Sequence, residues 1–174
     1  MELYIVRHGI AEEKFPDGTD AARALTDEGR RKTARAARGL AALGVRPDLI
    51  VSSPLLRARQ TAEVLAEALR PAEGIAEAQW LSPGIPPAGT VRQLARLAHR
   101  SVLLVGHMPD VSALASLLLT GRPSADIVFK KAAVCALSFD GRARAGCARL
   151  EWLLQPRHLR AAATGKEAGG GGTD

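Results

Sequence analysis

The chain has 174 residues, 47% hydrophobic and 24% charged, with a formal net charge of +6. That length carries one domain with a real core, and the composition is ordinary for a soluble globular protein. No apolar run approaches the roughly 20 residues of a membrane span, and aromatics at 3% are too sparse for a single-strand stacking platform, so neither a membrane nor a nucleic acid is expected as partner.

In chain order, residues 3–6 (LYIV) read as a buried strand, with Arg7, His8 and Gly9 at its end. Residues 9–25 are irregular, with a turn at Pro16, Asp17 and Gly18. Thr26 is placed to cap a helix whose first turn holds Asp27 and Glu28, where the helix dipole favours anions. That helix runs to Leu43 and stops at Gly44. Residues 48–52 (DLIVS) form a second strand. Ser53 as N-cap and Pro54 at the first helical position open the next helix, with Leu56, Val64, Leu65 and Leu69 on its core face.

Residues 75–81 are expected as a strand, 82–89 (SPGIPPAG) as a proline-rich loop and 90–99 as a short helix. Residues 101–106 (SVLLVG) read as a buried strand and 110–120 as a helix. Residues 132–139 and 147–154 suit a hairpin around Asp140-Gly141, with a loop longer than two residues. The Gly-rich segment 161–174 cannot bury enough surface to order itself and reads as a disordered tail, leaving 1–160 as the domain. The strand–helix alternation predicts an α/β fold, a three-layer α/β/α sandwich with helices on both faces of a mostly parallel sheet.

The opening strand carries no signal-peptide pattern, so the cytoplasm is the expected compartment. Cys135 and Cys147 lack a CxxC spacing and a His at ligand spacing; both are expected to be buried, unbridged and metal-free. The positive charge, carried mostly by Arg, is either compositional bias or an attraction to anionic substrates.

Three strand ends carry the functional signal. The first delivers Arg7 and His8, the second leads into a helix with Arg57 in its first turn, and 101–106 ends at His107. In an open α/β sheet ligands bind at that edge, so parallel neighbours would bring the four side chains to one pocket. Each residue alone has a structural reading, and His99 and His158, without such company, are assigned to structure or surface. Together the four suit phosphoryl transfer. Two guanidiniums clamp phosphoryl oxygens with fork geometry. A neutral imidazole attacks phosphorus when its other nitrogen is held, here by the Gly9 carbonyl. A protonated His107 would stabilise developing charge, and Ser53 at a helix N-terminus would assist with the anion.

At these residues the sequence resembles the histidine phosphatase superfamily, the phosphoglycerate mutase-like fold. The resemblance rests on RHG at Arg7-His8-Gly9, LTDEG at 25–29, SSPLLRARQTA at 52–62 and GHMP at 106–109, in the family's order and spacing, and covers about residues 1–157. It implies that His8 is the nucleophile, that Arg7 and Arg57 bind phosphate, and that His107 is the second histidine of the pocket. The chain is most similar to the short SixA-type phosphohistidine phosphatases, having no large lid insertion. No metal or organic cofactor is implied.

One departure bears on the substrate. Superfamily members acting on phosphate monoesters usually carry a carboxylic general acid in the loop corresponding to SPGIPPAG, which here has none; Glu77 is placed inside the preceding strand. An alkoxide leaving group needs a proton donor, whereas a phosphohistidine imidazole leaves more easily. The expected function is therefore removal of phosphate from a histidine-phosphorylated protein, such as a phosphotransfer domain, by a cytoplasmic monomer. Lys130 and Lys131 are either partner contacts or a solvated basic pair. The alternatives are a broad phosphomonoesterase, with Glu12, Glu13 or Asp17 as acid, and a phosphate-recognising module without turnover.

Overall fold

The structure, a computed structural model, describes residues 1–13 and 18–164. Its strands are β1 (Glu2–Arg7), β2 (Leu49–Ser52), β3 (Ile75–Glu77), β4 (Ser101–Gly106), β5 (Val134–Ser138) and β6 (Arg149–Leu154). Its helices are α1 (Asp27–Ala42), α2 (Leu56–Leu69), α3 (Pro87–Leu94), α4 (Asp110–Thr120) and α5 (Pro156–Ala162). The strands form one sheet in the order β3-β2-β4-β1-β5-β6. β3, β2, β4 and β1 run parallel, and the β5–β6 hairpin continues the sheet antiparallel.

Side-chain alternation divides β1 between two cores. Leu3 and Ile5 pack on the face covered by Leu94 of α3 and by Leu114 and Leu118 of α4. Tyr4 and Val6 pack on the opposite face, with Ala36 and Leu40 of α1, Leu65 of α2 and Leu159 of α5. The sandwich expected from the alternation of elements is therefore present. No helix among the described residues is long and apolar enough to cross a membrane.

The register matters for function. Arg7 lies beside Gly106, and Ser52 beside Val105. The three central parallel strands thus end nearly level, and the residues after them share one edge of the sheet.

Several expectations need correction. α2 starts at Leu56, two residues after Pro54, and Leu56 is only half-buried; its core face is made by Ala58, Ala62, Val64, Leu65 and Leu69. The strand at 75–81 stops at Glu77, because its partner β2 ends at Ser52, which pairs with Glu77; a turn of 3₁₀ helix, Gln79–Leu81, then folds Leu81 into the core. Glu77 is thus at a strand end, exposed and 3.3 Å from Arg59 Nε. The short helix spans Pro87–Leu94 instead of 90–99, its start set by a proline whose fixed φ suits the first helical turn. Cys135 is buried, and burial pushes its thiol up to about 12, but Cys147 is exposed.

The sequence reading also missed α5, which runs through Ala162. It packs on α1, and burying its fully enclosed Leu159 contributes about 2 kcal/mol. Residues 165–174, the rest of the expected tail, lie outside the described residues, as do Pro16 and Asp17.

Candidate active site

His8 follows β1 directly, and its backbone N–H donates to the Gly106 carbonyl at 3.0 Å. The side chain is 6% exposed, and its Nδ1 lies 2.7 Å from the Gly9 carbonyl oxygen. A carbonyl only accepts, so Nδ1 carries the proton and Nε2 the lone pair. Burial pushes the imidazole down to about 3; the Gly9 carbonyl opposes that shift, while His107, Arg57 and Arg7 reinforce it. The ring is neutral across the physiological range.

His107 follows β4, with its ring centroid 5.2 Å from that of His8. Its Nε2 is 2.7 Å from Ser53 Oγ. Burial, and then Arg57, hold this ring down to about 4, with Asp20 opposing. His107 is therefore neutral near pH 7, and the charge stabilisation that a protonated ring would bring is not supplied by it in this form. Ser53 also departs from expectation. Its hydroxyl is engaged by His107 and accepts only a long 3.4 Å bond from the Leu55 amide, so it orients the second histidine instead of capping α2.

The arginines approach from two sides. Arg7 Nη1 donates to the Phe129 carbonyl at 2.7 Å. Arg57, 5% exposed, donates from Nη1 to the Asp20 carbonyl at 2.7 Å and from Nη2 to Asp20 Oδ2 at 2.8 Å. All four expected residues line one open cavity of ≈ 330 Å³, together with Asp20 and Lys131. Arg7 Nε and His107 Nδ1 are buried without a hydrogen-bond partner among the described residues. Both are polar atoms that an oxyanion in the cavity would suit.

The loop after His8 is locked by close packing. A Cβ on Gly9 would lie 2.5 Å from Thr33 Oγ1, and one on Gly29 only 2.0 Å from the Ile10 carbonyl oxygen. The first turn of α1 thus rests directly on the backbone beside the nucleophile, with Thr26 capping that turn through a 2.9 Å bond from Gly29 N–H.

Two participants, Asp20 and Thr61, escaped the sequence reading, and Lys131, read there as a partner contact or a solvated charge, lines the cavity itself. Asp20, in a short 3₁₀ turn (Asp20–Ala22), is the carboxylate lining the cavity among the described residues. The Arg23 guanidinium, and after it Arg57, hold it below the usual carboxylate range. Thr61 is fully buried; its Oγ1 accepts from Gly9 N–H at 3.0 Å and donates to the Arg57 carbonyl at 2.6 Å. It sits one helical turn after Arg57, a spacing that could have flagged it. Lys131 reaches the cavity from the turn before β5, where Ala132, at φ 65°, donates to both the Arg7 and His8 carbonyls. A left-handed alanine costs about 1–2 kcal/mol, here offset by that pair of bonds.

Other expected residues lie elsewhere. Glu12 and Glu13 are exposed and do not line the cavity, and Asp17 is outside the described residues. His99 pairs with Glu73 at 2.9 Å, and His158 is exposed on α5. Among the described residues no group of three or more His, Cys, Asp or Glu could hold a metal ion.

A profile of the histidine phosphatase superfamily (branch 1) matches residues 3–80, a segment that contains Arg7, His8 and Arg57. An uncharacterized protein of Picosynechococcus sp. is 35% identical over 159 residues, which is 87% of this chain and 89% of that protein. The chain belongs to the histidine phosphatase superfamily. Another relative, the phosphohistidine phosphatase SixA of Escherichia coli, is 27% identical over 169 residues, 93% of this chain and 98% of its own. A solved structure of the protein histidine phosphatase SixA complexed with tungstate matches with a TM-score of 0.79 at 26% identity, covering 91% of this chain and 99% of that one. Three of the four pocket residues, Arg7 at the end of β1, His8 just after it and Arg57 on α2, fall in the segment matched by the superfamily profile, while His107, just after β4, lies beyond it.

Proposed function

We propose that the protein is a phosphohistidine phosphatase, acting on histidine-phosphorylated proteins through a phosphohistidine intermediate on His8. The observation that carries this reading is the 2.7 Å contact between His8 Nδ1 and the Gly9 carbonyl. It leaves a neutral ring with the Nε2 lone pair free for in-line attack. Arg7 and Arg57 hold the phosphoryl oxygens, and His107, with its proton on Nδ1 and Ser53 donating to Nε2, adds a third donor.

In the first half-reaction Nε2 attacks phosphorus and the P–N bond of the substrate breaks. The departing imidazole takes its proton from solvent, and the Gly9 carbonyl steadies the positive charge that develops on the His8 ring. In the second, water attacks phosphorus, the bond to Nε2 breaks, phosphate departs and a proton is released to solvent.

The carboxylate chemistry favours an N–P over an O–P substrate. Asp20, the carboxylate at the cavity, is kept ionised by two arginines and so is a poor proton donor. The likeness to SixA, and the tungstate complex of that protein, a tetrahedral oxyanion like phosphate, support the same assignment. A phosphotransfer domain of a signalling relay fits as partner, and we read the protein as a cytoplasmic monomer.

The test is phosphate release from a histidine-phosphorylated phosphotransfer domain beside an aryl phosphate, with His8→Ala as control. Fast release from the former, slow release from the ester and neither in the variant support the proposal. Equal turnover of the ester contradicts it and favours a monoesterase.

A further inference from the structure

A second cavity, ≈ 260 Å³, lies beside the catalytic one. Its rim is cationic, with Lys32, Lys130, Lys131, Arg157 and Arg160, and the described residues that line it include no carboxylate. Ile10 and Pro156 contribute apolar surface between these charges. Two carboxylates act from nearby: Glu28 pairs with Lys32 at 2.5 Å, and Glu13 acts on Lys131. Lys130, Arg157 and Arg160 have no carboxylate partner among the ion pairs of the described residues.

Among the described residues, this groove and the catalytic cavity share one, Lys131. The turn that carries it is fixed to the catalytic strand, since the Ala132 amide bonds both the Arg7 and His8 carbonyls at 3.0 and 3.2 Å. A chain occupying the groove is therefore held in register with His8. The groove is open and smaller than the roughly 300–1,000 Å³ pockets that enclose small ligands. That shape suits a strip of polypeptide better than an engulfed metabolite.

We propose that this groove is an exosite binding an acidic, extended segment of the phosphorylated protein while its phosphoryl group sits at His8. The recognition is electrostatic, with carboxylates of the segment facing the unpaired lysine and arginines and its apolar side chains lying on Ile10 and Pro156. As a statement about substrate choice it rests on the phosphohistidine reading.

Two synthetic peptides of equal length test it, each with one central phosphohistidine, flanked either by four glutamates or by four glutamines. At low salt the glutamate peptide is expected to show a KM about tenfold lower, with an unchanged kcat, and the advantage should collapse in 0.5 M salt. In the double variant Arg157→Glu, Arg160→Glu the preference should fall below about twofold, while kcat/KM for the glutamine peptide stays at the wild-type value. Fluorescence anisotropy with the unphosphorylated glutamate peptide reads the same groove without turnover, and Lys130→Gln replaces the double variant if that fails to fold. Equal KM values in the wild type, a preference that survives the charge reversal, or binding of inorganic triphosphate with no discrimination between the peptides would overturn the exosite. If neither phosphopeptide is hydrolysed, the phosphohistidine reading fails, and the anisotropy alone decides the groove: charge-dependent binding supports it and no binding overturns it.

Discussion

Two buried threonines, given the same substitution, should behave in opposite ways. Thr61 is fully buried, and its hydroxyl takes the Gly9 N–H at 3.0 Å and donates to the Arg57 carbonyl at 2.6 Å. Valine keeps the volume, so Thr61→Val opens no cavity. It does strand the Gly9 N–H, whereas the Arg57 carbonyl keeps its helical bond. An unsatisfied buried donor costs about 2 kcal/mol, which for a domain of this size lowers Tm by about 4–8 °C. Because the Gly9 carbonyl orients His8, kcat should also fall, by about tenfold to a hundredfold, with little change in KM. Thr33 is 1% exposed, and its hydroxyl has no partner among the described residues. Thr33→Val removes an unsatisfied group, so stability should hold or rise by about 1 kcal/mol. Calorimetry and steady-state kinetics on the two variants decide the matter. A Thr61→Val protein melting with the wild type, or a Thr33→Val protein losing as much as Thr61→Val, would refute the reasoning.

Three further outcomes follow from the geometry. An unfolded imidazole titrates near about 6.5, whereas His8 and His107 are held down to about 3 and about 4 in the fold. Below pH 6.5 the unfolded chain therefore binds more protons than the folded one, and stability is lost as pH falls, by about 2 kcal/mol per ring at pH 5. Urea melts from pH 7 to 4 should show this acid limb, made shallower by bound tungstate, and kcat/KM should stay flat down to about pH 5; an acid limb of activity near pH 6.5 would contradict the neutral nucleophile. Asp20→Asn keeps the backbone bond to Arg57 but removes a competing carboxylate. Inhibition by phosphate should tighten by about two- to fivefold, in line with an ion pair whose carboxylate partner is exposed, and weaker inhibition would mean that Asp20 mainly orients the arginine. Gly29→Ala puts a Cβ 2.0 Å from the Ile10 carbonyl oxygen, so soluble yield and activity should both collapse; a fully active, well-folded variant would show that the α1–loop contact is not needed.

Much of this arrangement could be read in the residues themselves. The runs LYIV and SVLLVG are continuous apolar strands because both faces of the sheet are covered, and DVSALASLLLT is bounded by the His-Met-Pro turn and Gly121. Those elements, and the convergence of Arg7, His8, Arg57 and His107 on one edge, need only local pattern and the rule for parallel sheets. What escaped the sequence depends on tertiary partners. Asp20 becomes part of the site only because its turn folds onto Arg57, and nothing in its neighbours marks it. Ser53 fits a helix cap by type, yet its hydroxyl is taken by a histidine 54 residues away. α5 is too short for its periodicity to show, and it exists because Leu159 fills a space against α1 and the sheet. The left-handed Ala132 breaks the local preference that would have reserved its position for glycine, and it does so where the basic turn is tied to the catalytic strand.

The most direct test of the central claim is to trap the phosphorylated enzyme. Brief incubation with a histidine-phosphorylated phosphotransfer domain, followed by an alkaline quench and mass spectrometry, should find one acid-labile phosphoryl group on His8. It should be absent from His8→Ala, and its decay should match the rate of phosphate release. Turnover with no phosphoryl group on His8, or release that persists in His8→Ala, would contradict the account.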